Sequence, residues 1–189
     1  MIPSIEAARA INFHRKEAIV VSTSSALRDW NAVSDRRELD VDLTDCMDRA
    51  PGVGLGLSLA QPDKQVLVLD CDATIRTDLA AFATIGESKT SNLVHFVFED
   101  LSNVSTEGVP VAGQNNIDLQ AMALGAGYTG TYRFSNVEEL FLGLESVLSQ
   151  EGPILVMVEV GRDLDQLPFP ERPMAEGWAE VRETLSNNQ

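Results

Sequence analysis

The chain has 189 residues, 44% of them hydrophobic and 23% charged, an ordinary globular balance that excludes a largely disordered or fibrous protein and suits a single domain. Fourteen Lys and Arg against 29 Asp and Glu leave a net charge of −15, which argues against nucleic acid or an anionic membrane as partner. Two cysteines and two histidines are too few for a disulfide framework or a four-ligand zinc site.

The N-terminal stretch lacks the basic start and apolar core of a signal peptide, and no apolar run reaches a bilayer span, so a cytoplasmic location is expected. Ser4 is placed to cap a first helix. An apolar β-branched run over 18–22 predicts a strand, and Ser24 a cap for a helix over 25–30. A weaker strand is read at 39–43 and a helix over 52–60. A strand at 65–70 precedes a helix over 74–85, and a strand at 93–98 follows. Next come a helix over 118–124, a weak strand at 129–133 and a helix over 136–149. Ser135 is the expected cap of the last, with Glu138 at the capping-box position. A strand at 153–160 ends the alternation. Residues 163–173 carry three prolines and read as an extended surface segment, before a short amphipathic helix over 174–185.

Continuous apolar runs fit strands covered on both faces, as in parallel sheets. The order predicts an α/β fold: a three-layer α/β/α sandwich with about six mainly parallel strands, over residues 1–162, and a C-terminal arm and helix over 163–189.

Ligands of open α/β sheets sit beyond the carboxyl ends of the strands. Three such ends stand out: Asp70-Cys71-Asp72-Ala73-Thr74, Glu99-Asp100-Leu101-Ser102-Asn103, and Asp45-Cys46-Met47-Asp48-Arg49, which leads into Gly52, Gly54 and Gly56. The glycine run is not a dinucleotide fingerprint, because Leu57 and Leu59 stand where its last glycine is required. It is read instead as small residues that let a helix start pack closely. Asp72 and Asp100, 28 residues apart at successive strand ends, make either an oxygen-rich site for Mg²⁺ or a pair of helix caps. His95, mid-strand, is read as a core residue.

The stretch from Gly54 to Ala60, a Pro-Asp-Lys turn, and VLVLDCDATIRTDLAAFATIGESKTSNLVHFVFEDLSNVSTEGVP resemble the diphosphate-binding domain of thiamine-diphosphate (ThDP) enzymes, in particular that of the sulfopyruvate and phosphonopyruvate decarboxylases. The resemblance implies a ThDP site with Mg²⁺ held by Asp72, Asp100 and the carbonyl of Ser102. It places Cys71, Ala73 and Thr74 at the diphosphate and Met47 under the bent cofactor. The backbone near Asp45 would face the aminopyrimidine, and Ser105 and Thr106 would lie in the loop over the cofactor. Departures from the family pattern are Cys71 and Ala73 for two glycines, Thr74 for serine, Asp100 for asparagine, and Asp45 and Asp48 for glycine. The implied activity is decarboxylation of a small anionic 2-oxo acid by a β subunit. An α subunit would supply the pyrimidine-binding domain and its glutamate, and self-association is expected. The alternatives are a non-catalytic subunit that keeps this fold and a stand-alone flavodoxin-like binding module.

Overall fold

The computed structural model describes residues 1–100, 113, 116–161 and 168–187. The chain begins β1 (Ile2–Pro3), α1 (Ser4–His14), β2 (Ile19–Ser22), α2 (Ser24–Val33) and β3 (Asp40–Asp42), with single 3-10 turns at Arg37–Leu39 and Met47–Arg49. It continues α3 (Ala50–Ala60), β4 (Val66–Cys71), α4 (Asp72–Ile75), α5 (Ala80–Ser88) and β5 (Leu93–Asp100). The last elements are α6 (Leu119–Ala126), β6 (Gly130–Phe134), α7 (Val137–Leu148), β7 (Ile154–Gly161) and α8 (Met174–Asn187).

The strands form one seven-stranded sheet in the order β1-β7-β5-β4-β2-β3, and every pairing among the described residues is parallel. β6 lies beside β7 over Ile154 to Val158, and β1 takes the next stretch of the same edge at Val160 and Gly161. Alternation of side chains along the strands divides the core in two. On one face Val20, Leu67, Phe96 and Phe98 pack against α1, α2 and α7, through residues such as Ile11, Trp30 and Leu144. On the other, Val21, Val68 and Val97 pack against α3, α5, α6 and α8, through Leu55, Phe82, Ala123 and Val181. Helices on both faces explain why the inner strands carry unbroken apolar runs.

The architecture is the one read from the sequence; several local details differ. The helix over 74–85 is two helices, because Arg76 turns its side chain into the interior and Ala81 starts a new turn on the carbonyl of Asp78. Ser4 and Ser24 are the first residues of their helices, with Pro3 and Thr23 at the cap positions. Asn136, not Ser135, caps α7; its side chain accepts the N–H groups of Glu138 and Glu139 at 2.8 and 3.2 Å. Only Gly54 of the three helix-start glycines makes a close approach. A Cβ there would lie 2.2 Å from Val68 Cγ2, whereas Gly52 and Gly56 face open space. α8 lies back on β3: Trp178 donates its indole N–H to the Asp42 carbonyl at 2.7 Å, and Val181 and Leu185 join the core. Among the described residues no helix is long and apolar enough to cross a membrane.

Candidate functional site

Strand order reverses between β2 and β4. The strand that follows β2 lies on one side of this pair, and the strand that follows β4 lies on the other. The helices leaving the two strands go to opposite faces, α2 to one core and α5 to the other. A crevice therefore opens between the carboxyl ends of β2 and β4, where open α/β sheets bind ligands.

On the β2 side, Ser22, Thr23, Ser24 and Ser25 are all buried. The hydroxyls of Ser22 and Ser25 have no hydrogen-bond partner among the described residues. Such groups are costly to bury without a ligand or water. Ser24 starts α2 with φ +53°, a conformation that side chains rarely adopt. The first N–H groups of α2 lie outside its own ladder and carry the positive end of the helix dipole. Thr23 donates its hydroxyl to the Met47 carbonyl at 2.9 Å, which ties the 3-10 turn to the crevice.

On the β4 side, Asp70 organises the loop. Its Oδ1 accepts the Cys71 N–H at 2.7 Å and also the Thr74 hydroxyl. Cys71 caps α4 with its Sγ 3.2 Å from Thr74 Oγ1, so the thiol is turned toward Thr74. Asp72 is the first residue of α4 and is buried; Ala73 and Thr74 are half-buried. Register pairs Cys71 with Phe98, so Asp72 and Asp100 stand just beyond the paired ends of adjacent strands. Asp100 is partly exposed there.

The structure thus gathers Met47, Cys71, Asp72, Ala73, Thr74 and Asp100 at one end of the sheet, with the turn at Met47 in contact with α4. Asp45 is exposed, two residues before that turn. Ser102, Ser105 and Thr106 lie outside the described residues. Sequence reasoning missed the β2 hydroxyls; four consecutive Ser and Thr residues at a strand-to-helix junction were their signal. His95 is fully buried, with Nε2 3.5 Å from Asp70 Oδ2, Nδ1 3.3 Å from the Tyr128 hydroxyl, and the Phe82 ring beside it. Burial, and then the Asp70 charge, hold the Tyr128 phenol well above its ordinary range. Burial also raises the Cys46 thiol, helped by the Asp45 and Asp48 carboxylates.

Among the described residues, no three His, Cys, Asp or Glu side chains converge as a metal site. Asp72 and Asp100 are two hard oxygen donors, so a cation between them would need further oxygens from loop carbonyls or from an anionic ligand. Unpartnered buried hydroxyls, a free helix N-terminus and a nearby carboxylate pair fit a polyanion bridged by a divalent cation.

Residues 21–158 match the C-terminal TPP binding domain of thiamine pyrophosphate enzymes. The chain belongs to this family. Phosphonopyruvate decarboxylase of Streptomyces viridochromogenes is 31% identical over 163 residues, which are 86% of this chain and 40% of that enzyme. Sulfopyruvate decarboxylase subunit beta of Methanocaldococcus jannaschii is 29% identical over 140 residues, 74% of this chain and 73% of the subunit. In fold, this TPP-binding domain superposes on a putative thiamin diphosphate-dependent enzyme of Mycobacterium smegmatis with a TM-score of 0.71 at 16% identity, covering 84% of this chain and 32% of that one. The TPP-binding domain described here therefore spans less than half of the Streptomyces decarboxylase and about three quarters of the archaeal subunit.

Proposed function

We propose that this chain is the diphosphate-binding subunit of a ThDP-dependent 2-oxo acid decarboxylase that acts on a small anionic substrate such as sulfopyruvate or phosphonopyruvate. The observation that carries this reading is the crevice at the β2/β4 reversal. There the start of α2, with the unpartnered hydroxyl of Ser25, follows directly on β2, whose Ser22 pairs with Leu69 two residues before Cys71. In a chain of net charge −15, oriented N–H groups and a bridging cation are what offset the repulsion of a diphosphate. Asp72 and Asp100, with the Ser102 carbonyl, would hold Mg²⁺. Ser25, Cys71, Ala73 and Thr74 would face the diphosphate, with Ser105 and Thr106 in the loop over it. Met47 would support the bend of the cofactor, and the backbone near Asp45 would face the aminopyrimidine. When bound, ThDP supplies the thiazolium carbon that takes up the 2-oxo acid and the electron sink for loss of CO₂. This chain's own residues bind, orient and neutralise; His95 is sealed in the core and takes no part in proton transfer at the crevice.

An α subunit carrying the pyrimidine-binding domain completes the proposal, in keeping with the beta-subunit name of the archaeal relatives. α3 supports a covered surface: it has no charged residue, Leu59 is 60% exposed, and Gly52 and Gly56 leave their side open. A helix apolar all round is normally buried. Self-association through the same face and a cytoplasmic setting belong to this reading.

Thermal unfolding with and without Mg²⁺ and ThDP, on the full chain co-expressed with its partner, tests the proposal. At ligand near 100 times its Kd the native state gains about 2.7 kcal/mol, which is about 5–10 °C for a chain of this size. Asp72→Ala should lose that shift. A wild type that shows none, with its partner present, overturns the cofactor assignment and leaves a non-catalytic subunit.

A further inference from the structure

Arg76 is an unusual side chain for its place. It follows α4 directly, four residues after Asp72, and its side chain is 1% exposed. Its Nη1 donates to the Gly113 carbonyl at 3.0 Å and reaches the Ile117 carbonyl at 3.4 Å; both residues precede α6. Its Nη2 lies 3.7 Å from Oε1 of Glu99, whose side chain is 9% exposed. Glu99 also accepts Arg133, which extends to Glu159 at 3.0 Å and to Gln120 at 2.9 Å.

One buried guanidinium therefore joins three segments. These are α4 with Asp72, the end of β5 one residue before Asp100, and the chain that leads into α6. An apolar side chain would fill the same space without desolvating a cation, so fold stability alone is a poor account of an arginine here. Arginine's planar fork, by contrast, fixes several acceptors at once. The alternation Arg76, Glu99, Arg133, Glu159 leaves Glu99 balanced on both sides, next to Asp100.

We propose that Arg76 is a positioning residue that sets the separation of Asp72 and Asp100, and so the grip on the cation that bridges them. The two strand ends are also coupled through their ladder, which stops at Cys71 opposite Phe98 on this side. Beyond that point the Arg76–Glu99 pair continues the link up to the two carboxylates. The inference rests on the cofactor reading above, and its test separates the two.

The experiment uses the full chain with its partner, in wild-type, Arg76→Met and Glu99→Gln forms. Mn²⁺ affinity in the presence of ThDP is read by electron paramagnetic resonance, alongside thermal unfolding. Outer partners of metal ligands typically change metal affinity about 10–100-fold when removed. Each variant should weaken Mn²⁺ at least about 10-fold, and amide exchange should quicken at 72–76 and at 96–100 together while α1 and β2 keep their protection. Glu99→Gln preserves volume, so it decides the matter if Arg76→Met fails to fold. Lower unfolding temperatures with wild-type Mn²⁺ affinity would overturn the proposal and make Arg76 a structural residue. A wild type that does not take up Mn²⁺ with ThDP would instead overturn the cofactor reading beneath it.

Discussion

Replacing Ser24 with glycine should make the protein more stable and its hold on a diphosphate weaker. Ser24 begins α2 at φ +53°. A side chain in the left-handed region costs about 1–2 kcal/mol relative to the right-handed one. Glycine escapes that cost, but its looser unfolded chain takes back about 0.5–1 kcal/mol. The expected net gain is about 0.5–1 kcal/mol, or a rise of about 1–4 °C in unfolding temperature for a chain of this length. Urea unfolding followed by the fluorescence of Trp30 and Trp178 measures the same gain at constant temperature. Ligand binding should move the other way, because the N–H groups of Ser25 and Ala26 would no longer be held in place before the anion arrives. An increase of about threefold in the Kd of ThDP with Mg²⁺, or about 0.7 kcal/mol, is expected. A Ser24→Gly protein that unfolds at a lower temperature than wild type would refute the reasoning, since the backbone there would then carry no strain to relieve.

Other consequences follow from packing and charge. Gly86→Ala would set a Cβ 1.9 Å from the backbone carbonyl oxygen of Ala126, so α5 and α6 must part; a loss of about 1–3 kcal/mol in urea unfolding is expected. Gly56→Ala, on the open side of α3, should instead stabilise the isolated chain by up to about 1 kcal/mol, and no gain there would contradict the helix as described. Cys46 should react with iodoacetamide at pH 8 more slowly than free cysteine, because burial and two carboxylates raise its thiol and deplete the thiolate. A faster reaction would contradict that electrostatic account.

The parts of the fold legible in the sequence are those where one residue type repeats without interruption. β2, β4, β5 and β7 are runs of Val, Ile, Leu and Phe that only a doubly covered strand accommodates, and their ends came within two residues. β1 was not legible, since two residues carry no period and owe their pairing to β7. The break between α4 and α5 was hidden for a different reason. Thr74 to Ile85 reads as one amphipathic helix until a tertiary demand, the pull of Arg76 on the Gly113 and Ile117 carbonyls, bends it. At the candidate site, strand-end position pointed to Asp72 and Asp100, but orphaned hydroxyls are a property of the folded chain. Serines 22 and 25 look like capping residues until their partners are sought. Asn136 shows the smaller version of that problem: two adjacent residues were equally good caps, and the backbone chose the second.

β7 has a role in the order of assembly. It neighbours three strands at once: β5 along one side, and β6 and then β1 along the other. Ile2 and Pro3 are made well before their partners Val160 and Gly161. The pairs β2–β3, β2–β4 and β4–β5 can form while synthesis is still under way, because each joins segments already made. α1 meanwhile carries an apolar face whose other contacts, on β7 and α7, do not yet exist. Contacts between distant parts of a chain form slowly and leave surface open to aggregation until they do. Arrival of β7 closes the sheet, seats α1 and gives β6 its only partner among the described residues in a single step. A nascent chain stalled before residue 154 would hold most of its crevice residues yet lack the strand that locks the sheet behind them.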